Sequence, residues 1–401
     1  MTSTLTPWRL KALLAGLASL SLAALVAACG GGGVGSGGTG GFASGPITGF
    51  GSIIVNDVRF DDGSASVEDG DGNRRSRDDL RLGMTVDVDS GAITATTGST
   101  TTGTATATRI RYDSDLRGPV GIIDVAGGSF NVLGQRVVVD ATTVFAESLG
   151  GLSGLSAGTL VEVYGVFDPA ANRYRAKRVD TATSGAGLQL LGLVNQLDNS
   201  GGTRTLRIGL ITYDYSTASN VPSDLAVGQF VRVRVSATQT NGRFTVVSFG
   251  TALRGLPDAD GASLKGLITA FTASASFSVN GRPVDASAAS FPDGTAGLAL
   301  GVRVEVKGNL RAGTLRATEV KIRTDQQEVD SEFELHGAIE SVNAAAQTFV
   351  LRGQTVSTAR SDLVYQGGNA SNLVPGRKVE VQGRLSSDRL RIEATKISFD
   401  N

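Results

Sequence analysis

The chain opens with an apolar run from Ala12 to Ala28, broken only by small residues such as Gly16, Ser19 and Ser21, and no comparable run follows. From residue 45 onward, apolar and polar positions alternate in short stretches bounded by glycine, asparagine and aspartate. Such period-two alternation predicts half-buried β-strands joined by tight turns. The alternation repeats. A strand opening on glycine recurs at Gly45-Pro46-Ile47, Gly118-Pro119-Val120, Gly192-Leu193-Val194, Gly266-Leu267-Ile268 and Gly337-Ala338-Ile339, at separations of 73, 74, 74 and 71 residues. A second marker, glycine followed by alternating apolar positions, recurs at Gly83, Gly158, Gly228, Gly301 and Gly376, at separations of 75, 70, 73 and 75 residues. Two markers that keep one period indicate a duplicated unit.

Each unit reads as about five strands. After the opening strand comes a hairpin, seen most clearly in Phe277-Ser278-Val279-Asn280-Gly281-Arg282-Pro283-Val284, where Asn-Gly separates two alternating runs. Ile54 to Val58, Phe130 to Val137 and Phe349 to Val356 are the equivalent stretches. A variable loop, the Gly-x-x-Val-x-Val strand and a closing strand such as Leu315 to Ile322 complete the unit. Five short strands in about 70 residues bury little as an open sheet, whereas closing into a barrel removes the exposed edges. The expected fold class is therefore all-β, with five tandem small β-barrel (OB-like) modules. The boundaries read as 45–112, 116–180, 188–250, 262–323 and 331–399, preceded by a leader at 1–28 and a linker at 29–44.

The amino terminus predicts a destination. Arg9 and Lys11 precede the apolar run, and no acidic residue occurs before Asp57. The run is shorter than the roughly 20 residues a spanning helix needs, and it lacks a charged stop-transfer flank. It ends in Val26-Ala27-Ala28-Cys29, where Cys29 is the one cysteine of the chain. This segment resembles the lipobox of bacterial lipoproteins. The resemblance implies cleavage before Cys29 and its modification with diacylglycerol and palmitate-type acyl chains, which anchor a protein stably when two or more are present. Gly30 stands where lipoproteins retained at the inner membrane of Gram-negative cells typically carry Asp, so the resemblance implies the outer membrane. From Gly30 to Gly41 the chain has nine glycines, a flexible tether of roughly 20 Å. No strand precedes them and no Gly-Lys-Ser/Thr follows, which excludes a phosphate-binding loop.

Removing Arg9 and Lys11 takes the net charge from −1 to −3. A nearly neutral exported chain with 5% aromatic residues lacks the basic stripe and stacking platform of a nucleic-acid binder. With Cys29 as the one cysteine, no intramolecular disulfide can form.

The repeated pattern over Gly45 to Phe399 resembles DUF5666, a domain of unknown function found in tandem in proteobacterial lipoproteins. The resemblance implies an envelope lipoprotein and no mechanism. Its third copy departs by carrying Arg232 where the others carry Asp87, Glu162, Glu305 and Glu380.

Candidate chemistry is sparse. His336 is the sole histidine, so a Ser-His mechanism needs that residue, and it shares its repeat position with Arg117, Leu191 and Lys265, a slot expected to be solvated. The repeated carboxylates lie between inward valines and are expected to face solvent, where they discourage aggregation. Asp69, Asp71 and Asn73 match the first three ligand spacings of a calcium loop, but Arg74 replaces its glycine and Leu80 its glutamate. The reading is a solvated loop of mixed charge. Ala95 to Thr108 is expected to be a polar hairpin or loop. No catalytic residue, cofactor or metal site is expected. The expected protein is a non-enzymatic envelope lipoprotein, its modules serving as a scaffold or protein-binding surface, with glycan or small-ligand binding as the alternative. Its partners are the membrane, through lipid on Cys29, and another envelope protein or polysaccharide, with no nucleic acid.

Overall fold

The computed structural model describes residues 40–96, 101–182, 187–240, 242–250, 255–324 and 332–400. Cys29 and the leader lie outside them. Module 1 shows the plan. Its opening strand, Gly41–Phe50, pairs antiparallel with Ile53–Val55 on one side and with Thr85–Ser90 on the other. Ile53–Val55 pairs with Val58–Asp61, which runs parallel to the closing strand Gly103–Tyr112. The closing strand returns antiparallel to Thr85–Ser90, so the ring is complete in the order 1-2-3-5-4-1. This is the five-stranded Greek-key barrel of the OB fold.

The same ring recurs four times, beginning at Leu116–Asp124, Leu188–Asp198, Ala259–Ala273 and Phe333–Ala338. In each, the third strand lies parallel to the fifth. In the last module the opening strand is interrupted at Ile339-Glu340 and resumes as Ser341–Asn343.

Three sets of glycines account for the regular spacing. At the opening glycine the turn of the first hairpin sits directly on the strand. A Cβ at Gly45, Gly192 or Gly266 would lie 2.2–2.3 Å from Asn56, Ile208 or Asn280. The glycines of the second marker take left-handed φ values of 80–90°, which favour glycine. Within the fourth strand a β-bulge recurs in all five modules, and Gly165, Gly308 and Gly383 occupy it in three. A Cβ at Gly308 would stand 2.1 Å from the carbonyl oxygen of Arg316, whereas one at Gly376 (φ 85°) meets nothing within 4 Å. Gly308→Ala is therefore expected to cost about 3 kcal/mol through backbone displacement. Gly376→Ala should cost about 1 kcal/mol of conformational strain alone. Urea denaturation of the two variants checks the difference.

Hairpin geometry also explains a local flaw. In module 4, Asn280 Oδ1 accepts from the Leu267 amide at 3.0 Å. Asn56 occupies the matching place in module 1, but Pro46 has no amide hydrogen to offer. The buried Asn56 Oδ1 is left without a partner, while its Nδ2 donates to Ser44 and Ser263.

The modules do not hang separately on a tether. Residues from Gly40 to Asn401 form one compact unit. Opening strands make the seams: Gly41–Ser44 lies parallel to Gly261–Leu264 of module 4, and Gly49–Phe50 parallel to Glu334–Leu335 of module 5. Arg117 and Leu116 of module 2 pair with Gln189 and Leu190 of module 3. Strand structure thus begins at Gly41, inside the stretch read as linker, because Gly41–Ser44 has sheet edges on both sides to bond. One apolar core joins modules 1 and 5, and a second joins modules 2 and 3. Module 4 has its own, to which module 1 contributes Phe42.

The threonine-rich stretch begins as a polar hairpin, Thr94–Ala95 pairing antiparallel with Gly103 and Thr104, and continues beyond it as a long strand. Gly103–Tyr112 is the closing strand of module 1, and its Thr104, Thr106 and Thr108 alternate with residues facing the other way. Threonine is β-branched and suits a pleated surface, which lets the strand run on past the hairpin.

Candidate functional site

The two repeat positions singled out by sequence lie directly opposite one another. Strand register pairs Ser44 with Asp87, Arg117 with Glu162, Leu191 with Arg232, Lys265 with Glu305, and His336 with Glu380. Alternation does place them outside their own barrels, as expected. In a fused body, however, the outside of one barrel is the inside of a seam. Asp87 bonds Arg282 of module 4 at 2.6 Å, and Glu162 bonds Arg117 at 2.6 Å and the Tyr164 hydroxyl at 2.8 Å. Glu305 is only 2% exposed and accepts from Arg323 Nε at 2.9 Å. The expectation that these carboxylates simply face solvent is corrected for Asp87, Glu162 and Glu305.

Arg232, the exception among them, explains itself by what it touches. Asp113-Ser114-Asp115 connects modules 1 and 2. Arg232 Nη1 reaches across from module 3 to Asp113 Oδ2 at 2.9 Å and donates to the Ser114 carbonyl at 2.8 Å. Gln189, also of module 3, donates through Nε2 to Asp113 at 2.8 Å and to the same carbonyl at 2.9 Å. A carboxylate at position 232 would face Asp113; arginine is the residue that fits.

Asp115 completes this arrangement. Its amide donates to Val163, its carbonyl accepts from Leu191 at 2.7 Å, and its Oδ2 accepts from the Gly165 amide at 2.8 Å. Burial pushes its carboxyl up to about 7, against the opposing pull of Arg232 and the Gly165 amide, while neighbouring Asp113 adds to the rise. Burial likewise raises the Tyr174 phenol well above its usual range; its hydroxyl donates to the Leu191 carbonyl. These groups line a cleft of about 170 Å³ where modules 1 to 4 meet, into which Asp87, Arg282 and Lys265 also reach.

The calcium-like loop has another use. Asp69 accepts from the amides of Asp71 and Asn73, each at 2.9 Å, and from Arg75 Nη2 at 2.6 Å, so its carboxylate is occupied by the loop itself. Asp71 pairs with Arg234 of module 3. Among the described residues no three of His, Cys, Asp or Glu group as a metal would require. His336 Nε2 lies 2.8 Å from Asp400 Oδ2 and its side chain is 38% exposed. Sequence reasoning missed Asp113 and Asp115, whose one signal is a pair of acids in a short connector between two modules.

Three segments, residues 117–180, 265–321 and 336–398, match the family described as "Domain of unknown function (DUF5666)". The chain is thus similar to this family in three tandem segments. The matched segments fall in modules 2, 4 and 5, the three with glycine at the bulge; Ser90 and Val235 stand there in modules 1 and 3. Among solved structures, the chain is similar to "drosophila Unr CSD456", with 11% identity and a TM-score of 0.15, covering 53% of this chain and 98% of that one. It is also similar to a "multidomain protein with nucleic acid binding domains" from Streptococcus pneumoniae, with 9% identity and a TM-score of 0.13, covering 53% of this chain and 73% of that one. Comparison with curated proteins gave no match. The DUF5666 description assigns no chemistry, so function must be argued from the seams and grooves.

Proposed function

We propose that this chain is a non-enzymatic lipoprotein of the bacterial cell envelope, held through lipid on Cys29, whose five barrels serve together as a scaffold or protein-binding surface. The observation that carries this reading is the fusion of the modules. The barrel interiors are filled by apolar side chains, Asp87 pairs with Arg282 and Asp113 with Arg232 across the seams, and Glu162 and Glu305 pair with Arg117 and Arg323 of their own modules. Such a body offers a shaped exterior in preference to a reactive interior. In this respect it departs from the picture of separate modules making independent weak contacts.

Cys29→Ala tests the anchor. The wild-type chain is expected in the membrane fraction, with the mass of its first peptide raised by acyl chains, and the variant in the soluble envelope fraction. A variant that stays with the membranes overturns the lipid anchor. Crosslinking in intact envelopes then tests the scaffold, which requires one envelope component enriched with the anchored form over Cys29→Ala.

The second reading, binding of a glycan or small ligand, is favoured by one specific observation: a groove between modules 3 and 4 that carries an aromatic residue.

A further inference from the structure

That groove has a volume of about 400 Å³, against about 170 Å³ for the central cleft, and it falls in the range of small-molecule sites. Module 3 supplies one wall. Leu193, Pro222 and the half-buried Phe230 make it apolar, and Asp224 and Gln229 stand at its edge. Module 4 supplies the other wall from its opening strand and first hairpin, including Ala270 and Ser278. Gly228, Gly250 and Gly281 lie in the lining, so backbone there is open to close approach.

Three features define what this lining would accept. Of the two aromatic residues in the lining, Phe230 and the buried Phe249, Phe230 is peculiar to module 3, since Thr85, Leu160, Arg303 and Lys378 occupy its place in the other modules. Phe230 is braced by Phe167 of module 2, with ring centroids 6.1 Å apart and planes at 79°. The polar pair is also pre-positioned: Gln229 accepts from the Ala226 amide at 3.0 Å and donates to Asp224 Oδ2 at 3.2 Å. Finally, no lysine or arginine lines the groove among the described residues, which disfavours a phosphate-bearing or otherwise polyanionic ligand.

We propose that the groove between modules 3 and 4 binds a neutral saccharide. Phe230 offers an apolar ring to the C–H face of a sugar, and Asp224, Gln229 and Ser278 offer acceptors and donors to its hydroxyls. OB barrels as a class accommodate oligosaccharides. The proposal deepens the ligand-binding reading and rests on it; the lipid anchor and the scaffold are separate matters.

The test uses the full chain without its leader and ligand-observed saturation-transfer NMR with maltose, cellobiose and N,N′-diacetylchitobiose at millimolar concentration. Transfer to at least one disaccharide is expected. Ala270→Trp, at an exposed wall position, should abolish it by filling the groove. Asp224→Ala should weaken it about tenfold, the loss expected for one hydrogen bond to a charged group. Circular dichroism of both variants controls for folding. Absence of transfer to all three sugars, or transfer unchanged in folded Ala270→Trp, overturns the proposal. Because Cys29→Ala leaves the groove untouched, anchoring and saccharide binding succeed or fail independently.

Discussion

Arg232→Ala is expected to destabilise the folded chain by about 3–5 kcal/mol, the loss typical when one partner of a buried ion pair is removed. The cost comes less from the lost attraction than from what is left behind. Asp113, 14% exposed, would keep Arg117 at 3.7 Å and Gln189 but lose its closest cation, and the Ser114 carbonyl would lose one of its two side-chain donors. The double variant Asp113→Ala with Arg232→Ala should recover most of the loss, since neither charge is then stranded. Urea denaturation of the single and double variants measures the coupling between the two residues. A double variant as unstable as Arg232→Ala would mean that the arginine acts chiefly through Ser114 or through packing.

The second large effect depends on pH. Asp115 has a carboxyl near 7 in the folded chain and near 3.8 when exposed. Between those values the folded state holds a proton that the unfolded state has released, so stability from this group falls as pH rises. It is fully present below about pH 4 and lost by about pH 7, and above that it changes no further. A shift of this size corresponds to about 4 kcal/mol. Asp115→Asn keeps an oxygen for the Gly165 amide and removes the titration. The variant should match wild type at pH 4 and exceed it by up to about 4 kcal/mol at pH 8. Equal stability of the two proteins at both pH values would show that the buried carboxyl carries no such penalty. Because Arg232 pulls this carboxyl down, Arg232→Ala should also move the midpoint of the wild-type pH profile upward.

Much of the fold was legible because its determinants are local. The opening glycines, the left-handed glycines and the Asn-Gly hairpin each answer to contacts within one module, so they recur at one spacing and identify a barrel. The seams answer to contacts across two modules and leave no periodic trace. Asp87 looks like a solvent-facing strand residue until Arg282 of module 4 is brought against it. Arg232 was visible as a departure from the repeat, but its partner was a connector that no single module contains. Asp69, Asp71 and Asn73 suggested an ion site by spacing, whereas Arg75 occupies the carboxylate that would have mattered most. The groove was half legible: module 3 was recognisably divergent, yet its second wall belongs to module 4.

Parallel pairing of the first strand with modules 4 and 5 also constrains the order in which the molecule can be finished. Asn56 and its acceptor Ser263 are separated by 207 residues, so the earliest-made barrel waits for the latest-made ones. Modules 2 and 3 share a core and adjoin in sequence, which makes them the natural first unit to form. Until modules 4 and 5 are made, Gly41–Ser44 and Gly49–Phe50 carry unpaired backbone at the two ends of that strand, the kind of edge that recruits other chains. A chain stopped after module 3 would be a sticky fragment, and a cell making this protein has reason to shield its amino-terminal barrel until synthesis is complete.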